Sequence, residues 1–242
     1  MISDTKTLKN DPIIDSMFKA GAHFAYAKSR RHPSAEPFIF GVKNKVEIFD
    51  LEKTKEFLEK AKDFVRKISG EGGQILFVGG KNESRDAILN GALSIDMPYV
   101  AGRWIGGTIT NASEIEIRIE KLKDLVSKRE KGELSKYTKK ERLVIDREIE
   151  HLEKNFRGLV SLKGKPQAIF VIDSKKEKNA VSEGKRSGIP IIALQGSDCD
   201  IKDSDYPIPA NDSSIASIRF FVNEIVEAYK AGKKAIPNSP NS

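Results

Sequence analysis

The residues of this chain that could do chemistry are few, and each has a plainer structural interpretation. A turn of sequence Gly79-Gly80-Lys81 follows an apolar run and precedes a helical pattern. Such a turn can present backbone N–H groups to a phosphate at the start of a helix. Because it matches neither GxxxxGK[ST] nor GxGxxG, a tight turn capped by Asn82 or Ser84 is the favoured interpretation. A phosphate- or nucleotide-binding enzyme that uses this turn remains the second hypothesis.

The histidines, the cysteine and the acidic residues form no catalytic or metal-binding pattern. His23, His32 and His151 stand in no HExxH or HxH arrangement, and there is no GxSxG or SxxK motif. The neighbours of Cys199 are acids, which oppose the formation of a reactive thiolate. Four acids near it could bind Mg²⁺, although turn residues that cap backbone groups are the favoured interpretation; they are Asp198, Asp200, Asp203 and Asp205. We expect no catalytic residue, no cofactor and no metal site.

The composition narrows the class of protein further. Of the 242 residues, 32% are charged and the net charge is +7, which suggests a polyanionic partner. One cysteine excludes an intramolecular disulfide framework and fits a reducing compartment. No apolar run approaches the ~18–20 residues of a membrane span, and the polar first ten residues lack the apolar core of a signal peptide. We therefore expect a soluble, cytoplasmic protein.

Short apolar strands alternate along the chain with amphipathic helices. The sequence predicts strands over 45–49, 74–78, 98–100, 168–172, 189–194 and 206–209. It predicts helices over 51–69, 82–93, 175–187 and 213–231. Such alternation favours a flavodoxin-like α/β fold, in which a mostly parallel sheet carries helices on both faces.

Residues 111–157 interrupt this alternation with a densely charged segment. Apolar residues recur there at heptad spacing on two helices, with Gly132 between them. They are Ile115, Ile119, Leu122 and Val126, then Ile145, Ile149, Leu152 and Phe156. This pattern predicts a protruding antiparallel coiled-coil hairpin, and a solvated insertion without a partner is the alternative. The expected organisation is one α/β domain from 1–110 and 158–231, the hairpin 111–157, and a disordered tail 232–242.

Basic and aromatic residues gather in three stretches that could contact RNA. Adjacent arginines ahead of Pro33 make an extended strip that can meet phosphates and stack on bases. The single tryptophan, Trp104, follows Arg103. A buried tryptophan that orients the predicted helical hairpin 111–157, called the arm below, is as plausible there as an RNA contact. The third stretch lies near the tip of the arm, where a solvated helix face is the default interpretation and an RNA contact is considered only together with the other two stretches. The candidate RNA-binding residues are Lys28, Arg30, Arg31, His32, Lys43, Lys45, Lys81, Arg103, Trp104, Lys136, Lys139 and Lys140.

Motifs from about Met17 to Ala228 resemble those of one family, the bacterial-type small-subunit ribosomal protein number two. The most specific are Arg103-Trp-Ile-Gly-Gly107 with Thr110-Asn111, and Asp205-Tyr-Pro-Ile-Pro209 with Asn211-Asp212. The others, in chain order, include Gly21-Ala-His-Phe24, Pro37-Phe-Ile-Phe-Gly41, Ile48-Phe-Asp-Leu51, Ile75-Leu-Phe-Val-Gly79, Met97-Pro-Tyr-Val100 and Gly188-Ile-Pro190. The chain departs from the family at Ala25-Tyr26, where members often carry Gly-His.

The resemblance implies an α/β domain with a protruding coiled-coil hairpin and no catalysis. It implies a structural constituent of the small ribosomal subunit that binds its ribosomal RNA and neighbouring ribosomal proteins as a monomer within the ribosome. It further implies a role in late subunit assembly and in docking the large mRNA-binding ribosomal protein numbered one.

Overall fold

A five-stranded sheet organises the protein in a computed structural model that describes residues 11–234. The helices are α1 (Pro12–Lys19), α2 (Leu51–Gly70), α3 (Asn82–Leu93), α4 (Ala112–Glu130), α5 (Lys139–Phe156), α6 (Lys178–Arg186) and α7 (Ile215–Lys234). The strands are β1 (Ile39–Lys43), β2 (Val46–Phe49), β3 (Ile75–Val78), β4 (Tyr99–Val100), β5 (Ala168–Ile172), β6 (Ile191–Gln195) and β7 (Tyr206–Pro209).

The sheet has the strand order β4-β3-β5-β6-β7, and all its pairs are parallel. Renumbered from its own first strand, this order is 2-1-3-4-5, which is the flavodoxin-like arrangement. Every residue of β3, β5 and β6 is buried. Their continuous apolar sequences are therefore typical of strands covered on both faces. The predicted α/β class and parallel sheet are confirmed.

Side chains of alternate residues in each central strand pack on opposite faces of the sheet. Phe77 and Phe170 face the side covered by α1, α2, α3 and α7. Leu76, Val171 and Ala193 face the opposite side, which α6 and parts of α4 and α5 cover. This alternation follows from the two-residue period of a strand.

Helix α7 extends further than the sequence suggests. A Cβ atom on Gly232 would lie 2.4 Å from the carbonyl oxygen of Arg66, so the glycine permits close packing of α7 on α2. The helix continues to Lys234, three residues into the segment 232–242 that we predicted as a disordered tail. Residues 235–242 of that tail lie outside the described residues.

An antiparallel hairpin of β1 and β2 stands apart from the main sheet. The sequence predicts a strand over 45–49 but misses β1. Two of the apolar side chains of β1, Phe40 and Val42, are exposed, so the segment lacks the buried alternation of an ordinary strand. Asn44 and Lys45 form the turn with positive φ angles of 52° and 65°.

The charged insertion folds as two helices, as predicted. Ile115 and Leu122 of α4 lie in one apolar cluster with Ile149 and Leu152 of α5. Thr138 starts α5 with a capping box, in which its side chain and that of Glu141 satisfy reciprocal backbone groups. In residues 11–234, no helix is both long and apolar enough to cross a membrane.

Candidate nucleic-acid interface

Three charged side chains meet at the carboxyl edge of the sheet. Lys81 lies after β3, Asp173 after β5 and Asp212 after β7. The Lys81 Nζ lies 2.6 Å from Asp173 Oδ2 and 3.1 Å from Asp212 Oδ2. Lys81 is only 8% exposed and its ammonium is paired with both carboxylates, so it is not available to an RNA phosphate. We therefore no longer count Lys81 among the candidate RNA-binding residues.

The pKa shifts of Lys81 and Asp173 favour the charged forms of both groups, as expected for an internal ion network. Burial would lower the pKa of Lys81, but the carboxylates of Asp212 and Asp173 outweigh it and raise that pKa above its ordinary value. Burial raises the pKa of Asp212. For Asp173 the effect of burial is outweighed by Lys81, which lowers the pKa of that carboxyl. Ligand atoms of Asp173, Cys199 and Asp212 lie within 4.8 Å of one another, a spacing that fits a metal ion. Lys81 already supplies a cation to both carboxylates.

Cys199 is a buried thiol beside these acids, and we predict that it is unreactive in the folded protein. Burial and the charges of Asp173 and Asp212 raise the pKa of the thiol to about 12. Since the thiolate is the reactive form, alkylation by iodoacetamide at pH 8 should be at least about a thousandfold slower than for a free thiol. Mass spectrometry of the folded protein measures this rate, and the guanidinium-unfolded protein is the control. Complete labelling of the folded protein within minutes would contradict the assigned environment.

Groups of the protein itself occupy the space beside the Gly79-Gly80 turn. The Gly80 N–H donates to Glu177 Oε1 at 2.9 Å. A Cβ atom on Gly80 would lie 2.6 Å from the same oxygen and 2.7 Å from the carbonyl oxygen of Gly102. A buried carboxylate therefore takes the place at this turn that a phosphate would need, which argues against the nucleotide-binding hypothesis.

The start of α3 differs from the predicted cap. Lys81 occupies the N-cap position and makes no capping bond with its side chain. The prediction that Asn82 or Ser84 caps the helix is wrong, because Ser84 Oγ donates to the Lys81 carbonyl oxygen at 2.9 Å. The Lys81 side chain is instead held by the two aspartates.

Glu183 of α6 organises the loop that contains the tryptophan. Its carboxylate accepts the indole N–H of Trp104 at 3.0 Å and the backbone N–H groups of Gly107 at 2.8 Å and Ile109 at 3.1 Å. Thr110 donates to it as well, from its N–H and its hydroxyl. Burial would raise the pKa of Glu183, but these donors outweigh it and lower the pKa. The loop is therefore fixed at the entry to α4.

Trp104 is buried and Arg103 beside it is exposed. Trp104 is 7% exposed and joins the apolar cluster that includes Ile115 and Leu152 of the helical arm. This placement supports the interpretation in which the tryptophan orients the arm, and it leaves no ring face free for an RNA base. Arg103 keeps its place in the candidate interface.

The two adjacent arginines of the basic strip differ in their availability. The Arg31 guanidinium contacts Glu47 at 2.9 Å and Glu36 at 2.8 Å, and its side chain is 15% exposed. Arg31 therefore anchors the strip to β2 rather than meeting a phosphate. Arg30 lies over the Tyr26 ring, 4.1 Å from its centroid, and keeps 59% of its side chain exposed.

The remaining candidates lie on the surface. His32 is half-buried, and its Nδ1 accepts the N–H of Ser34 at 3.3 Å. The other candidate side chains are exposed on the basic strip, the β1–β2 turn and the tip of the arm; they are Lys28, Lys43, Lys45, Lys136, Lys139 and Lys140. In the ion pairs formed within residues 11–234, none of these six takes part.

The acidic residues after β6 have structural partners. Asp198 contacts Lys175 at 3.0 Å and Arg30 at 3.4 Å, which brings this loop beside the basic strip. Asp200 caps a short helical turn through the N–H of Lys202. Asp203 pairs with Lys185, and Asp205 accepts the N–H of Ile191. Asp200 and Asp205 thus accept backbone N–H groups, as the interpretation of the acids as capping and turn residues predicts, whereas Asp198 and Asp203 form ion pairs with basic side chains.

Comparisons with known proteins show the family of the chain. A family model described as Ribosomal protein S2 matches residues 17–232. The small ribosomal subunit protein uS2 of Coprothermobacter proteolyticus is 40% identical over 221 residues, covering 91% of this chain and 82% of that protein. The protein of the same name from a Nitratiruptor species is 41% identical over 218 residues, covering 90% of this chain and 82% of its own. The predicted ribosomal protein without enzymatic activity is thus confirmed, and the chain belongs to the ribosomal protein S2 family, whose members are structural proteins of the small ribosomal subunit.

Proposed function

We propose that the protein binds small-subunit ribosomal RNA and neighbouring ribosomal proteins, and so supports translation and late assembly of the subunit. The observation that carries this proposal is the set of exposed lysines on the strip, the β1–β2 turn and the arm tip, which form no ion pair with residues 11–234. Lysines in such positions can neutralise phosphates and release counterions from RNA. Phosphate contacts of this kind position a protein without reading sequence, which suits a structural constituent.

The RNA-contacting surface that we propose consists of the exposed candidates and the half-buried His32. Lys28 and Arg30 supply the strip, Lys43 and Lys45 the hairpin turn, and Arg103 the loop before α4. Lys136, Lys139 and Lys140 supply the arm tip. His32 lies at the edge of the strip, half-buried, and belongs to this surface through its position beside Lys28 and Arg30 in the sequence.

The apolar side chains beside the β1–β2 hairpin fit a protein partner, whereas Lys43 and Lys45 of its turn are the residues that we assign to RNA. Phe18, Phe24 and Phe40 are 60%, 50% and 79% exposed, and they surround a cavity of about 620 Å³ with Val42 and Val46. Contiguous exposed apolar side chains of this kind mark protein–protein contacts. The large mRNA-binding ribosomal protein numbered one, which the family resemblance implies, is the partner that we propose for this face.

We further propose that α4 and α5 form a coiled-coil hairpin that protrudes from the α/β domain. The apolar seam of Ile115, Leu122, Ile149 and Leu152 supports this, as does the contact of Lys121 with Glu148 between the two helices. Within the ribosome the protein acts as a monomer in the cytoplasm, and its one cysteine, buried and unpaired, fits a reducing compartment.

Replacing Lys43 and Lys45 together by alanine is expected to weaken binding to purified small-subunit ribosomal RNA. Filter binding over a salt series should show a slope of log affinity against log salt that is smaller by about two, because each lysine meets one phosphate.

The matched control is the double variant Lys60→Ala and Lys230→Ala, which removes the same charge from lysines that already contact Glu56 and Glu227. The control should leave the slope within about half a unit of the wild-type slope. Equal slopes for the two double variants would contradict a specific role for the hairpin turn. No measurable binding by the wild type would contradict the proposed function.

A further inference from the structure

We propose that one phosphodiester group of the RNA binds in a cleft between strand β4 and the carboxyl end of α5. This inference rests on the proposed function and names a place where the RNA of that function is held. The cleft has a volume of about 380 Å³ and lies where the helical arm rejoins the sheet domain.

Two separate elements form the walls of this cleft. Tyr99, Val100 and the residues that follow them to Arg103 line one side. The last turns of α5 and the residues to Gly158 line the other. A Cβ atom on Gly158 would lie 2.2 Å from the carbonyl oxygen of Tyr99, so the walls meet closely at this glycine. Only glycine fits there, and the contact fixes the separation of the two walls.

Three cationic side chains line the cleft from both walls. They are Arg103 from the β4 side, and Lys154 and Arg157 from the end of α5, and all three are exposed. No carboxylate of residues 11–234 lies within 4.0 Å of any of their charged groups. Arginine presents a fork of N–H donors that matches the oxygens of a phosphate, and lysine adds a point charge.

Two glutamates on the α5 side lower the positive charge of the cleft, which favours a single phosphate over several. Glu150 and Glu153 also line it, and Glu153 lies 3.8 Å from Arg129 on α4. With three cations against two carboxylates, the cleft carries a small positive charge. A ligand with several adjacent phosphates would meet the glutamates, whereas one phosphodiester of a passing RNA strand can contact the cations alone.

The backbone segments that carry the cations are held before any ligand arrives. Arg103 directly precedes Trp104, whose indole donates to Glu183, so the backbone that carries the arginine is anchored. The carboxamide of Asn155 donates to the carbonyl oxygen of His151 at 2.9 Å and braces the last turn of α5. Binding a phosphate there needs little reordering of the chain, which favours affinity.

The test replaces Arg103, Lys154 and Arg157 together by glutamine and measures affinity for purified small-subunit ribosomal RNA. We expect affinity at ~100 mM salt to fall about tenfold, and the salt slope to decrease by about one, which corresponds to one phosphate. The control is the triple variant Arg85→Gln, Lys163→Gln and Arg219→Gln, which removes the same charge from exposed residues outside the cleft. The control should lose less than about threefold.

A second experiment tests directly whether the RNA lies beside the cleft. Because Cys199 is buried, a cysteine introduced as Glu150→Cys can carry an iron chelate that generates hydroxyl radicals beside the cleft. Discrete cleavage of the ribosomal RNA around one nucleotide supports the cleft, while a chelate on Glu116→Cys of α4 should not cleave that nucleotide. Equal losses of affinity in the two triple variants would contradict phosphate binding in the cleft. No cleavage from Glu150→Cys, while the wild type still binds RNA, would contradict it too. Either result would leave the proposed RNA binding itself intact. If the wild-type protein fails to bind the RNA, the proposed function and the cleft both fall.

Discussion

Replacing Lys81 with methionine is expected to lower the free energy of unfolding by about 3–5 kcal/mol, because Asp173 and Asp212 would be left buried without their cation. For a chain of this length, such a loss corresponds to a melting temperature lower by about 10 °C. Differential scanning calorimetry of the wild type and the variant measures it. The effect is large because removing one partner of a buried ion network costs more than the network itself contributes.

Two further variants separate this cause from a general effect of the substitution. Lys176→Met changes an exposed lysine and should alter stability by less than about 0.5 kcal/mol. Adding Asp173→Asn to Lys81→Met removes one uncompensated charge, so the double variant should be more stable than Lys81→Met alone. A wild-type melting temperature in Lys81→Met would show that the carboxyl edge is not held by this network.

Replacing Glu183 with alanine is expected to release the loop from Trp104 to Thr110. The substitution removes the acceptor for one indole N–H, three backbone N–H groups and one hydroxyl, and we expect a loss of about 3–5 kcal/mol. Hydrogen exchange at Gly107 and Ile109 should accelerate by about a hundredfold relative to the wild type. Binding of small-subunit ribosomal RNA should weaken too, because Arg103 would lose its fixed position.

The same carboxylate predicts a dependence of stability on pH. The pKa of Glu183 in the folded protein is lowered from its ordinary value of 4.5, so its contribution is present above pH 4.5 and is lost as the pH falls through the folded pKa. The difference in melting temperature between the wild type and Glu183→Gln should therefore shrink as the pH falls below 4.5. The control Glu116→Ala, on the exposed side of α4, should change neither hydrogen exchange nor stability. Unchanged exchange at Gly107 in Glu183→Ala would contradict the assigned role.

The strands and helices were largely predictable because their patterns are local. The apolar run 168–172 corresponds to β5, and the helix predicted over 51–69 is α2 with one further residue. The hairpin strand β1 was missed, since its exposed apolar side chains give no buried face to detect. The end of α7 was also missed, because the tolerance of Gly232 in a helix depends on its close contact with α2 and not on helix propensity.

The candidate site was predictable in part, because sequence shows which residues are charged and not which charges are paired. Lys43 and Lys45, two of the candidate RNA-binding residues, are exposed. Lys81 and Arg31 have acidic partners far away in sequence, at Asp173, Asp212 and Glu47, so only the fold reveals that they are occupied. The sequence positions of two of these acidic partners did indicate where they would lie. Asp173 directly follows the buried strand β5, and Asp212 lies three residues after β7, at the sheet edge where polar groups converge.

The burial of Glu183 had no signal in the sequence, because it sits on a short helix among charged residues. Its donors come from a loop more than seventy residues earlier in the chain. Contacts of this kind arise only when α6 covers the sheet face that Trp104 also covers. They explain why the Arg103-Trp104 loop has a fixed structure although its glycines would otherwise leave it free.

The most direct test of the central claim is sedimentation of a cell lysate through a sucrose gradient, with detection of this protein in each fraction. At ~100 mM salt the protein should travel with small ribosomal subunits, and at ~1 M salt part of it should appear at the top, because phosphate contacts weaken as salt rises. A protein that stays at the top of the gradient at ~100 mM salt would contradict its place in the small subunit.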